Sequence, residues 1–250
     1  MKIVFFGDSF LQCKGLRADE AWPALVDGSL QKLFWSPGAM DNSGDCGGDV
    51  LRRALDLNGG RLLPIDTEIS SAIAETTRGA LERMQADLLE KRPNIAVIQY
   101  SSNDSTHLYS MRGAPLVSQD AFRANLIEMV DRCRRFDIQR VVFLTTHPVA
   151  KKRFDIHGLS PDETTGVYDN IVREVAAATT QRVADVRLAS ESWPAPEELC
   201  LDDQLHVNAE GARLYAGVVT PVLADVVLSI LEMENHPKRR AENEGRLGRA

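Results

Sequence analysis

K-I-V-F-F-G-D-S-F, residues 2–10, is the stretch on which the reading of this chain turns. Ile3, Val4, Phe5 and Phe6 form a continuous apolar run closed by Gly7, the pattern of a short strand covered on both faces, as in a parallel sheet. Ser9 stands at the exit of that strand. A hydroxyl nucleophile is therefore expected at the end of the sheet where such folds bind their ligands.

Outward from this strand, helix-like and strand-like patterns alternate. Apolar residues recur at helical spacing over residues 20–33 (Trp22, Leu25, Val26, Leu30), 72–91 (Ala80, Met84, Leu88), 119–136 (Phe122, Leu126, Met129) and 167–178 (Ile171, Val175). Strand patterns recur at 94–100, 140–146 and 182–188, with a weak second strand expected within 34–41. Residues 50–57 read as a short helix, and 61–70 as a loop carrying Leu62, Leu63 and Ile65 without clear period. The last helix is expected over 208–233, kinked near Pro221. This alternation predicts an α/β fold: a three-layer α/β/α sandwich on a doubly wound, mostly parallel five-stranded sheet, flavodoxin-like, in the order 2-1-3-4-5. Residues 1–234 are expected to form one domain and 235–250 a polar, flexible tail.

Composition limits the partners. With 250 residues, a net charge of -7 and no long run of lysine or arginine before the extreme C-terminus, the chain is not expected to have nucleic acid or an anionic membrane as its main partner, and no apolar run is expected to span a bilayer. No signal peptide is read at the N-terminus. Cys13, Cys46, Cys133 and Cys200 are widely spaced without metal-ligand pattern, so the expectation is a cytoplasmic protein with neither metal nor cofactor. Cys46, inside the glycine-rich loop, reads better as a small packing residue than as a reactive thiol.

A serine hydroxyl needs a positioned base, and a histidine base needs an acceptor to fix its tautomer. L-D-D-Q-L-H-V-N-A-E-G, residues 201–211, sets Asp203 three residues before His206 just ahead of a helix, with Asp202 as the second choice of acid. An acyl transfer also needs donors aimed at a developing oxyanion. Gly44 in N-S-G-D-C-G-G, the Asn103 amide and the Ser9 backbone N–H are candidates. Simpler roles compete: Ser9 and Asp203 as helix caps, Asn103 and Asp104 as turn formers. For Asp8, Asp104, His107, His147 and His157 a structural role is the favoured reading, and of these His147, after the fourth strand, is best placed to touch substrate.

Four blocks in order, G-D-S-F at 7–10, N-S-G at 42–44, S-S-N-D at 101–104 and D-Q-L-H at 203–206, make the chain resemble the SGNH hydrolases, also called GDSL esterases and lipases. The resemblance implies Ser9 as nucleophile, His206 as base, Asp203 as its orienter, an oxyanion hole from Ser9, Gly44 and Asn103, and no metal. It implies a small-molecule acyl ester substrate, with acetyl esters among the candidates. Ser101 stands where the family has glycine, which bears on how Asn103 is presented, and Val207 where it often has proline. Tyr168 in Y-D-N is assigned to packing. Two other readings compete: a catalytically silent glycan- or acyl-binding module of the same fold, and a magnesium-dependent module using Asp8 and Asp104.

Overall fold

The computed structural model describes residues 1–35, 46–149 and 160–235. The strands β1 (Lys2–Gly7), β2 (Asp66–Ser71), β3 (Ile95–Gln99), β4 (Arg140–Leu144) and β5 (Arg182–Ala184) pair in parallel in the order β2-β1-β3-β4-β5. Successive strand side chains point to opposite faces, so β1 feeds two cores. Ile3 and Phe5 pack with Trp22 and Val26 of α1 (Trp22–Phe34) and with Val219 and Leu223 of α8 (Ala209–Asn235). Val4 and Phe6 pack with Met84 of α3 (Thr77–Met84), Leu126 of α5 (Gln119–Arg135) and Ile171 of α6 (Pro161–Thr179). The expected three-layer α/β/α architecture and strand order are observed, with every pairing parallel. The remaining α-helices among the described residues are α2 (Cys46–Leu57), α4 (Ser102–Ser105) and α7 (Val186–Glu191).

Several boundaries differ from the sequence reading, each for a physical reason. The second strand is Asp66–Ser71, not a segment of 34–41, of which residues 36–41 lie outside the described part. As an edge strand it buries only Ser70, while Ile69 is 47% exposed, so it lacks an apolar period. What binds it is the backbone ladder to β1. The helix read from residue 72 consequently starts at Thr77, and it ends in a π-helical turn, Gln85–Leu89. The α6 helix begins at Pro161, earlier than expected, because Ser160 and Glu163 form a capping box around a proline suited to the first turn. The strand read over 182–188 stops at Ala184, where the Asp185 side chain accepts the Leu188 N–H and opens α7.

The last helix corrects the expectation that no apolar run is long enough for a bilayer. It has 27 residues, Pro221 inside it and an 18-residue stretch of mean hydropathy 2.0, enough to cross a membrane by length and composition. Half of that stretch is buried in the fold, with Tyr215, Val219, Leu223 and Val227 in line along one face. The polar tail beyond residue 235 lies outside the described residues.

Candidate active site

The carboxyl end of β1 is tight. A Cβ on Gly7 would sit 2.7 Å from the Gln99 carbonyl oxygen of the neighbouring strand, so only glycine lets the chain turn there without moving β3. Asp8 follows and is 1% exposed. Its Oδ1 accepts the Phe10 N–H (2.9 Å) and caps a single 3-10 turn, Ser9–Leu11, that holds Ser9 partly exposed. Its Oδ2 accepts from the Asn103 amide (2.9 Å). Burial pushes the Asp8 carboxyl up to about 7, against the hydrogen bonds that favour its charge.

Asn103, in α4 just beyond β3, donates its second amide hydrogen to the Glu75 carbonyl (3.1 Å). Around Glu75 lies a nearly buried charged group. Arg83 reaches both Glu75 carboxylate oxygens (2.7 and 2.8 Å), the Gly7 carbonyl (3.0 Å), Ser70 Oγ (2.8 Å) and Tyr100 Oη (3.0 Å), while its guanidinium lies 4.2 Å above the Phe6 ring. Tyr100 in turn donates to Glu75 (2.6 Å). One cation thus fastens the ends of β1, β2 and β3 together beneath the serine turn.

The residues from the C-terminal part arrive on a hairpin-like loop. Leu201 N–H donates to the His206 carbonyl (2.7 Å), and Gln204 at φ +55° closes the turn. Gly211 lets α8 start close behind this loop, since a Cβ there would lie 2.4 Å from the Leu199 carbonyl oxygen. Asp203 Oδ1 accepts the Leu205 and His206 N–H groups (3.0 and 2.9 Å), and Oδ2 meets His206 Nδ1 at 2.6 Å. Desolvation opposes ionisation of Asp203, but these donors outweigh it and hold the carboxyl at about 2. The other ring nitrogen, Nε2, lies 3.4 Å from Ser9 Oγ. That is longer than a formed O–H···N bond and within the looser range seen before substrate binds. Asp202, the second-choice acid, is exposed.

Ser9, Asp203 and His206 are therefore brought together, and Asn103 stands beside them; Gly44 and Cys46's loop neighbours 42–45 lie outside the described residues. Ser101 adopts φ -179°, an extended value open to any residue, so the family's glycine is not needed to present Asn103. Its hydroxyl instead bonds Thr146 Oγ1 (2.7 Å), whose N–H donates to the fully buried Asp169, the partner of Arg187 (2.7 Å). Tyr168 is buried against Phe122 and bonds the Val117 carbonyl, a packing role. Asp104 accepts from Thr77 N and Oγ1 (3.0 and 2.5 Å), apart from the Asp8 contacts, and no group of three or more His, Cys, Asp or Glu among the described residues is arranged to hold a metal.

His147 is 1% exposed and faces the protein, in keeping with the structural role favoured for it. Glu75 and Arg83 were not singled out by sequence at all. A carboxylate in a loop and an arginine on an amphipathic helix look like solvated charges, and only the return of α3 over the strand ends buries them.

A model of the GDSL-like lipase/acylhydrolase family matches residues 5–214. The uncharacterised lipoprotein YqeF of Bacillus subtilis is 24% identical over 170 residues, covering 58% of this chain and 68% of that one. Among solved structures, the acetyl xylan esterase AlAXEase superimposes with a TM-score of 0.64 at 21% identity, over 89% of this chain and 100% of that one. Axe2, an acetylxylan esterase from Geobacillus stearothermophilus, superimposes with a TM-score of 0.62 at 18% identity, over 87% and 91%.

Proposed function

Because the chain belongs to the GDSL-like lipase/acylhydrolase family and is a carboxylic ester hydrolase, we propose that it cleaves a small acyl ester, an acetyl ester first among candidates, through Ser9, His206 and Asp203. The observation that carries this reading is the continuous path from Asp203 through the His206 ring to Ser9 at the carboxyl end of the sheet. His206 Nε2 takes the Ser9 proton as Oγ bonds to the ester carbonyl carbon. The C–O bond to the alcohol then breaks and His206 returns the proton to the leaving oxygen. Water, deprotonated by the same ring, releases the carboxylic acid from Ser9.

The oxyanion would be met by the Ser9 and Gly44 backbone N–H groups and the Asn103 amide. Both amide hydrogens of Asn103 already have acceptors. An oxyanion, being charged, would displace the neutral Glu75 carbonyl, while Asp8 keeps its hydrogen and holds the amide in place. Acetyl preference draws on the two acetylxylan esterases of the same fold.

The test is a panel of chromogenic esters of increasing acyl length with wild type and Ser9→Ala. The expected result is a maximum at acetyl and loss of at least about 10³-fold in the variant; full activity in Ser9→Ala would overturn the mechanism. A second reading, a silent glycan- or acyl-binding module, is favoured by the occupied Asn103 amide, and predicts ligand binding with no turnover of any ester. We further propose a cytoplasmic site of action, with the protein expected in the soluble fraction of its cells; recovery with the envelope would reject it.

A further inference from the structure

A buried histidine stands behind the active site. His147 Nε2 lies 2.9 Å from the Leu205 carbonyl oxygen, and Nδ1 lies 2.8 Å from Tyr215 Oη. A carbonyl only accepts, so Nε2 carries the proton. The neutral ring then accepts at Nδ1, and the Tyr215 hydroxyl must be its donor. Tyr215 oxygen in turn accepts from Gln99 Nε2 (3.2 Å) and from the His147 backbone N–H (3.3 Å). Every proton in this chain is assigned by its partners.

The receiving carbonyl belongs to the peptide that carries the base. The Leu205–His206 peptide unit has its N–H held by Asp203 Oδ1 (2.9 Å) and its C=O held by His147 (2.9 Å). It is pinned from both sides. The Phe10 ring, next in sequence to Ser9, adds a packed contact: it meets the His147 ring at 5.2 Å between centroids and the His206 ring at 5.7 Å, edge-on to both. His147 thus reaches the base through a hydrogen bond and the nucleophile turn through a ring.

We propose that His147, in its neutral Nε2–H form, is a positioning residue that fixes the distance and angle between His206 and Ser9. The proposal rests on the Ser9–His206–Asp203 reading for its kinetic consequence, though not for its structural one. Burial, the largest influence on His147, lowers its pKa to about 4, which keeps the ring in the required form at neutral pH. Since displacing a reacting group by about 1 Å costs on the order of 10²-fold in rate, the effect should fall on kcat.

His147→Gln keeps an N–H that reaches the Leu205 carbonyl; His147→Phe keeps the ring against Phe10 but removes the donor to that carbonyl and the acceptor of the Tyr215 hydroxyl proton. The expected result is kcat within about five-fold of wild type for His147→Gln, and a drop of about 30- to 100-fold for His147→Phe with KM changed less than about two-fold. Equal kcat in the wild type and His147→Phe would overturn the proposal while leaving Ser9 chemistry intact, and an inactive wild type would speak only against the ester-hydrolase mechanism. A measurement without substrate or substitution decides if His147→Phe fails to fold. Nitrogen NMR of the wild-type protein should show His147 as the Nε2–H tautomer, with the His206 Nδ1 proton far downfield and slow to exchange. An Nδ1–H tautomer at His147 would overturn the proposal independently of any activity.

Discussion

On the side of Ser9 facing α3, the Asn103 amide donates to the Asp8 carboxyl and to the Glu75 backbone carbonyl, and the Glu75 side chain is in turn held by Arg83. On the side facing α8, His147, Tyr215 and Gln99 hold the peptide of His206 with uncharged groups, and the Asp203 carboxylate sits at the partly exposed rim. The difference follows from what each side must keep still. A neutral amide is held in one orientation most strongly by a charged acceptor. An imidazole that must gain and lose a proton is better backed by groups that do not change charge when it does.

The comparison breaks most visibly at its centre. Replacing Asn103 with Ala removes the amide to which the charged side is directed, and loss of an oxyanion donor typically costs about 10²–10³ in kcat. The expected outcome is such a loss with KM little changed, read from steady-state kinetics; an effect below ten-fold would assign the network to stability alone. Next comes Arg83→Met. Its side chain is 18% exposed and Glu75's 10%, so the variant strands a buried carboxylate and should destabilise by about 3 kcal/mol in urea unfolding. Glu75→Gln in the same background should recover much of that loss, because the stranded charge is then gone.

The two sides should also answer pH with opposite sign. Asp8 has its pKa raised from 3.8 to about 7 by burial, with the Asp104 and Glu75 charges adding to it and Phe10 and Asn103 opposing. The folded protein therefore binds more protons than the unfolded chain between those values, and the Asp8 contribution to stability falls as pH rises from 3.8 to 7. His147 is lowered from 6.5 to about 4, by burial first and then by the nearby Arg187 and His206, with the Leu205 bond and Asp162 opposing. Its contribution is present above 6.5 and lost as pH falls toward 4. Stability measured as a difference from wild type should thus rise with pH across this window for Asp8→Asn and fall for His147→Phe. Parallel slopes would remove the distinction between the sides.

Sequence carried the site further than it carried the walls of the site. β1 and β3 are continuous apolar runs because both faces are covered, and Ser9, Asn103, Asp203 and His206 stand in short local motifs whose order is visible in one dimension. β2 was invisible because an edge strand whose side chains are mostly polar is held by backbone pairing, which leaves no period in Asp66–Ser71. The partners of Arg83 and His147 are illegible in sequence for a related reason. Their roles depend on which strand ends lie beneath α3 and α8, and a side chain's burial by a segment 58 residues away, as for His147 and Leu205, has no local signature.

The smallest expected effect concerns Ser101, where sequence raised a doubt and the backbone removes it. At φ -179° serine and glycine share the same conformation, so what distinguishes them is the hydroxyl bonded to Thr146 at 2.7 Å and the greater freedom of glycine in the unfolded chain. Ser101→Ala deletes only the hydroxyl and should destabilise by about 1 kcal/mol. Ser101→Gly deletes the hydroxyl and adds chain entropy, so it should cost about 0.5–1 kcal/mol more. Both variants should keep kcat within about two-fold, because Asn103 is held from the other side by Asp8 and the Glu75 carbonyl. A ten-fold fall in kcat in Ser101→Ala would mean instead that the hydroxyl path through Thr146 to Asp169 reaches the amide, joining two regions of the sheet end that the hydrogen bonds keep apart.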